Sequence, residues 1–190
     1  VRPVIYYCNP NIYPEEEYLI RKNEITRYAA QLGIRIIDED STLASPAPAD
    51  WQARHDEWLH TVACGLEGEP ERGKRCLECF RLRLLRSARK TKELGLTRFT
   101  ATLASSRWKS LEQINEAGTW AAAQVEGVEF WDRNWRKGGL QQRRNELLRE
   151  NGFYNQLYCG CEFSMEALKE REARQALNSQ ITNPKSQLPI

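Results

Sequence analysis

The sequence predicts an α/β protein, a mostly parallel sheet covered by helices. Three observations lead there. Short apolar runs of strand character alternate with longer amphipathic stretches along most of the 190 residues. The connections between them are of ordinary length and are punctuated by Gly or Pro. Apolar residues make up 41% and charged residues 28%, which supports one domain-sized core and argues against wholesale disorder.

Taken in order, residues 4–7 read as a short buried strand that runs into a Pro-punctuated loop at 9–14. Pro14 then opens a helix, with Glu15, Glu16 and Glu17 facing the positive end of its dipole. That helix runs to about Gln31, and Gly33 lies just past its end. Residues 34–38 form a second strand, and the Pro- and Ala-rich stretch 41–49 a loop. Asp50 or a neighbour caps a helix carrying Trp51, Trp58, Leu59 and Val62, and 65–73 is a polar loop.

From Cys76 to Leu94 the stripe Leu77, Phe80, Leu84, Ala88, Leu94 has helical spacing, and Gly95 stops it. Residues 98–102 form a strand with Phe99 inward. Ser110 starts a helix to about Gln124, residues 128–131 form a strand, and 139–151 a helix that Gly152 ends. Residues 163–178 suit a polar terminal helix, followed by a loose tail from Thr182. We therefore expect one α/β domain over 1–164, with a C-terminal helix and tail over 165–190. In a parallel sheet, functional loops lie beyond the carboxyl ends of strands. That selects residues 8–13, 103–109 and 132–139. Neither a glycine-rich dinucleotide fingerprint nor a P-loop motif is present.

Net charge is only +2, but its distribution is uneven. Residues 72–92 carry nine Lys/Arg against Glu78 alone, and residues 133–149 carry six against Glu146 alone. Such segregation is a footprint for phosphates, unless acidic neighbours balance it in space. No apolar run approaches the roughly 20 residues of a membrane span, and no secretory leader opens the chain. We expect a cytoplasmic protein with no membrane partner.

The six cysteines include two tight pairs, Cys76–Cys79 and Cys159–Cys161, with Cys8 and Cys64 apart. Pairs this close rarely bridge as structural disulfides, and read as metal or redox thiols. Four thiolates hold either zinc or an iron–sulfur cluster; the C-x-C pair is less usual for a zinc ribbon, which favours the cluster. His55 and His60 are poorly aligned for joint ligation and read as packed or solvated. Cys76 lies at a helix head after Lys74 and Arg75, where dipole and cations lower a thiol's pKa. Two further segments, Arg107-Trp108-Lys109 and Asn134-Trp135-Arg136-Lys137, set cations and stacking aromatics at strand ends, as phosphate and base contacts require.

Several runs carry a resemblance in combination: residues 6–18, residues 69–83 around Cys76 and Cys79, residues 106–109, residues 113–115, residues 134–139, and residues 153–161 ending in Cys159-Gly160-Cys161. In this order they resemble the QueH-type epoxyqueuosine reductases of tRNA modification. The resemblance implies a fold like the adenine-nucleotide α-hydrolase (HUP-like) group, here without its first strand. It implies reduction of epoxyqueuosine to queuosine at the wobble base of tRNA, with an external electron donor. It places Cys76, Cys79, Cys159 and Cys161 on the family's metal-binding cysteines, around a 4Fe-4S iron–sulfur cluster with a second, mononuclear iron beside it. We take Asn9, Asn11, Arg107, Trp108, Lys109, Asn134, Trp135, Arg136, Lys137, Arg143 and Arg144 as the RNA and substrate contacts.

The family pattern also has a strand and a Cys-Cys turn ahead of the strand at 4–7, and this sequence starts after them. On that ground we expect reductase activity to be impaired in the form given. Cys8 and Cys64 fall outside the metal positions. No residue is assigned as general acid; Tyr7 and Asp132, near strand ends, are candidates. The competing reading from another class is a non-catalytic, zinc-stabilised tRNA-binding module.

Overall fold

The structure is a computed structural model that describes residues 2–39 and 51–182, with side chains as far as Ser179. The expected loop at 41–49, the cap at Asp50 and the tail over 183–190 lie outside the described residues.

Strand β1 (Val4–Tyr7) pairs in parallel with β2 (Arg35–Asp38), Val4 facing Arg35 and Tyr7 facing Asp38. Helix α1 (Glu15–Gln31) makes the crossover between them. Its first turn holds Glu15, Glu16 and Glu17, and Gly33 takes a left-handed φ of 60° just past its end. Helix α2 (Trp51–Trp58) continues into a π-helical turn, Leu59–Ala63, closed by the Cys64 amide donating to the Leu59 carbonyl at 2.9 Å.

Helix α3 (Lys74–Glu93) is the long amphipathic element. Strand β3 (Arg98–Phe99) pairs in parallel with β4 (Glu129–Phe130), and α4 (Leu111–Ala123) crosses between them. Ser110 caps α4, its Oγ accepting from the Gln113 amide at 3.3 Å. Helices α5 (Leu140–Glu150) and α6 (Glu162–Thr182) complete the chain, and α6 starts directly from the Cys-Gly-Cys segment.

The described strands make two separate two-stranded parallel sheets, where a single mostly parallel sheet was expected. The strand expected at 98–102 stops at Phe99. Thr100 Oγ1 donates to the Trp131 carbonyl at 2.8 Å, and the chain then coils into a 3-10 turn at Thr102–Ser105. The architecture is α/β with helices dominant.

Three buried clusters hold it together. The largest joins α3 and α4 to the β3–β4 pair through Phe80, Leu84, Phe99 and Ile114. Burying each such side chain stabilises by roughly 1.5–3 kcal/mol. Gly118 on α4 is required here, because a Cβ would stand 2.4 Å from the Phe130 ring. A second cluster gathers Trp58, Val62, Cys79 and Cys161, and a third joins Tyr7, Ile12 and Tyr18 on the β1–α1 side.

Candidate functional site

Cys76 and Cys79 stand three residues apart in the first two turns of α3, so both project from one face. The opposite wall is the Cys159-Gly160-Cys161 loop, which is clamped from several sides. Arg21 on α1 donates from Nη1 to the Cys159 carbonyl at 3.1 Å and from Nη2 to the Tyr158 carbonyl at 3.4 Å. The Tyr13 amide donates to the Gly160 carbonyl at 2.8 Å. Ser164 Oγ donates to the Cys161 carbonyl at 2.8 Å and stands 3.4 Å from the Cys161 sulfur. Arg21 is itself ion-paired to Glu17 at 2.6 Å, and the Tyr154 hydroxyl donates to Glu17 Oε2 at 2.7 Å.

These anchors bring the two thiol pairs together. Cys76, Cys159 and Cys161 line one enclosed cavity of about 10 Å³, and Cys79 packs with Cys161 in the cluster beneath. Among the described residues, no three His, Cys, Asp or Glu side chains stand in closed metal-ligand geometry. The chemistry of the donor set nevertheless fits a soft, anionic metal centre. Three sulfurs line the space with Cys79 packed against Cys161 beneath it, and two buried cations, Arg75 and Lys109, border it. Arg75 donates to the Leu66 and Glu67 carbonyls at 2.7 and 2.9 Å and lies 4.0 Å over the Phe163 ring. Lys109 donates to the Cys159 carbonyl at 3.4 Å. Neither has an ion-pair partner among the described residues, and buried charges of one sign are costly unless an anionic group sits between them.

Burial sets the thiol chemistry. It pushes Cys79 up to about 11 and Cys161 up to about 12, the latter helped by its neighbour Cys159. Cys76 is raised as well, again by burial, although the Arg72 amide donates to its sulfur at 3.2 Å. This corrects the expectation of a lowered Cys76 pKa: desolvation outweighs the helix dipole and the adjacent cations.

Beside the thiol cavity lies a cleft of about 600 Å³ between the first turn of α4 and the 134–137 loop. The two spaces share Arg72, Lys109, Ser110 and Gln113 as a common wall. Arg72 is the one non-glycine residue in the described chain with positive φ, at 66°. The Gln113 side chain holds that backbone by donating to the carbonyls of Arg72 (2.8 Å) and Gly73 (3.2 Å).

Of the expected RNA contacts, Lys109, Asn134, Arg136 and Lys137 line this cleft, and Trp108 lines the thiol cavity. Arg107 stacks over Trp108 at 4.6 Å, joined from α6 by Arg171 at 5.6 Å. Trp135 is a strut: its indole N–H donates to the Ala101 carbonyl at 3.1 Å and its ring meets Trp131 edge-on. The remaining residues lie elsewhere. Asn9 accepts from Arg83, and Asn11 is buried with its side-chain oxygen unpartnered. Arg143 is ion-paired to Glu146 and Glu150, and Arg144 donates to Asn145 Oδ1, both on exposed α5.

Neither candidate acid reaches the cleft. Tyr7 is buried edge-on to Tyr18, and Asp132 is exposed outside both cavities. His55 is packed between Trp51, Trp58 and Tyr13, consistent with a core histidine. Cys8 is buried at the end of β1 and Cys64 is exposed, and neither lines the thiol cavity. Sequence reasoning missed Arg21, Glu17, Arg72 and Arg75. The one legible signal was the i,i+4 spacing of Glu17 and Arg21, which reads equally well as a surface pair.

A family model described as "Epoxyqueuosine reductase QueH" matches residues 1–167. The chain belongs to the QueH family. Curated relatives named epoxyqueuosine reductase QueH include that of Histophilus somni, 45% identical over 89% of this chain and 65% of its own length. The Haemophilus influenzae relative is 44% identical over 85% of this chain and 60% of its own. The one from Acinetobacter baylyi is 42% identical over 85% of this chain and 68% of its own. The chain thus spans 60–68% of the length of these three relatives. Among the described residues, no helix is long and apolar enough to cross a membrane.

Proposed function

We propose that this QueH-family chain carries the site of an epoxyqueuosine reductase acting at the wobble base of tRNA, with Cys76, Cys79, Cys159 and Cys161 holding an iron–sulfur cluster of the 4Fe-4S type. The observation that carries the reading is the shared wall. A cationic cleft sized for a nucleotide opens beside four converging thiols, with two unbalanced buried cations between and behind them. The name its relatives share, epoxyqueuosine reductase QueH, supports the same reaction.

When bound, the cluster supplies reducing equivalents one electron at a time; two electrons from an external donor and two protons turn the epoxide into an alkene and water. The chain's own residues handle the substrate. Trp108, carrying Arg107 on its face, offers a stacking surface for a base drawn out of the anticodon loop. Lys109, facing both cleft and thiols, stabilises negative charge as it develops on the departing oxygen. Four thiolates complete one cluster, and the described residues offer no further thiol at the cavity for a second, mononuclear iron.

The test is anaerobic purification and reconstitution, followed by iron and acid-labile sulfide analysis and assay on tRNA containing epoxyqueuosine with a strong one-electron reductant. Roughly four iron and four sulfide per chain, lost on substitution of any one of the four cysteines by Ala, is the expected result. Stoichiometric zinc without iron would replace the reductase reading with the zinc-stabilised RNA-binding module.

A further inference from the structure

Several cations elsewhere on this protein have carboxylate partners, while others, such as Arg83 and Lys92, meet carbonyls. Arg81 pairs with Glu78 and Glu116, Arg86 with Glu57, Arg98 with Glu129, and Arg143 with Glu146 and Glu150. Three cations of the cleft also meet carbonyls. Arg72 donates to the carbonyls of Arg107 (2.9 Å) and Trp108 (3.5 Å), and Arg136 Nε donates to that of Ala104 (3.1 Å). Lys109 donates to the carbonyl of Cys159. Carbonyls orient a cation without cancelling its charge. Lys109 is 8% exposed and has no ion-pair partner among the described residues, and one terminal nitrogen of Arg136 is enclosed without any partner. Among the described residues, Glu112 is the one carboxylate in the cleft wall. The first turn of α4 opens here too, where the Leu111 and Glu112 amides precede any intrahelical acceptor. The whole is a fixed socket of net positive charge, four cations against Glu112, next to a stacking face.

We infer that this cleft holds one phosphodiester of the substrate RNA, belonging to a nucleotide adjacent to the one whose base reaches the thiol cavity. The inference rests on RNA being the substrate. Its consequence is register: a single gripped phosphate, with Arg72 and Lys109 common to both spaces, fixes which base of a loop stands over the thiols. The volume favours a chain of nucleotides over a lone small anion, since about 600 Å³ exceeds what a single phosphate fills. Trp108 and Arg107, alongside, provide for the neighbouring base.

The experiment measures binding of an unmodified tRNA anticodon stem-loop RNA to the full chain, with each loop phosphate neutralised in turn as a methylphosphonate. One linkage, or two adjacent ones, should weaken binding roughly three- to tenfold, the others little. In an Arg136→Gln/Lys137→Gln variant that linkage preference should vanish, and the salt slope should fall by about one per lost contact. Arg143→Gln, a cation already balanced, should leave the preference intact. RNA that binds with equal losses at every linkage overturns the socket and leaves the tRNA reading standing. Displacement of the RNA by ATP or pyrophosphate at micromolar concentration, sensitive to the same variant, would reassign the socket to a free nucleotide. No binding of RNA at any salt would overturn both. The methylphosphonate arm uses the unaltered chain, so a variant that fails to fold does not obscure the outcome.

Discussion

The Arg21 guanidinium lies 2.7 Å from the point where a Cβ on Gly160 would stand. Gly160 also has φ +127°, a backbone region that favours glycine. Arg21 cannot swing clear, because Glu17 and the carbonyls of Tyr158 and Cys159 hold it. Gly160→Ala is therefore expected to destabilise the metal-free chain by about 1–3 kcal/mol and to displace the thiols on either side. Urea unfolding and metal stoichiometry read these two effects. An unchanged unfolding midpoint with full metal content would show that the loop adapts freely.

Glu17 and Arg21 form a nearly buried pair, each side chain 8% exposed. Glu17→Ala leaves the guanidinium uncompensated and should cost about 3–5 kcal/mol, whereas Tyr154→Phe removes one hydrogen bond and should cost about 1 kcal/mol. The two losses should fall short of additive in the double variant, since both act on one carboxylate. Full additivity would mean that Tyr154 does not act through Glu17.

Arg72 permits stability and binding to be separated. A non-glycine residue in the left-handed region stores about 1–2 kcal/mol, which Arg72→Gly releases while keeping the amide that donates to the Cys76 sulfur. The same change removes the guanidinium from the cleft wall. The variant should melt no lower than the parent, yet bind RNA more weakly with a shallower salt dependence. A clear fall in melting temperature would indicate that the ties to Arg107 and Trp108 outweigh the backbone strain.

Cys79 and Cys161 remain protonated in the fold up to about 11 and about 12, while thiols of the unfolded chain ionise near 9.0. Their folded values are raised, so their contribution to stability is complete below pH 9 and is lost as pH climbs through 11 and 12. In the metal-free chain each group lowers stability by up to about 1.4 kcal/mol per pH unit across that window. Metal-bound thiolates reverse the sign, since acid then competes with the metal for sulfur. Urea midpoints measured between roughly pH 7 and 11 in chelator should stay flat and then fall above 9. A flat profile throughout would place these thiols in water.

The helices were legible because their ends are written in single residues: acids at 15–17, Gly33, Ser110, Gly95 and Gly152. The strand is shorter than the pattern at 98–102 predicts, because Thr100 gives its hydroxyl to the Trp131 carbonyl, a partner more than thirty positions away. The convergence of the four cysteines could be anticipated from spacing and resemblance. The rise in the Cys76 pKa could not, because it depends on burial that only the packed structure defines. Arg143 illustrates the same limit for charge. Along the sequence it belongs to a basic run, and in space two carboxylates surround it. Arg136, from the same run, meets a carbonyl instead of a carboxylate.

Among the described residues the two strand pairs have no ladder hydrogen bonds between them, and the thiols straddle that division. Cys159 and Cys161 are anchored to the β1–α1 side through Tyr13 and Arg21. Cys76 and Cys79 belong to α3, which is built into the β3–α4–β4 side. A metal held by all four sulfurs, as proposed above, would therefore staple the two sides together. In native-state hydrogen exchange the stripped chain should show two foldons, with amides around Ile5 and Ile36 opening at lower free energy than those around Leu84 and Ile114. Loading the thiols with the proposed metal should merge them into one, so that a bound group would set the cooperativity of the two sides together.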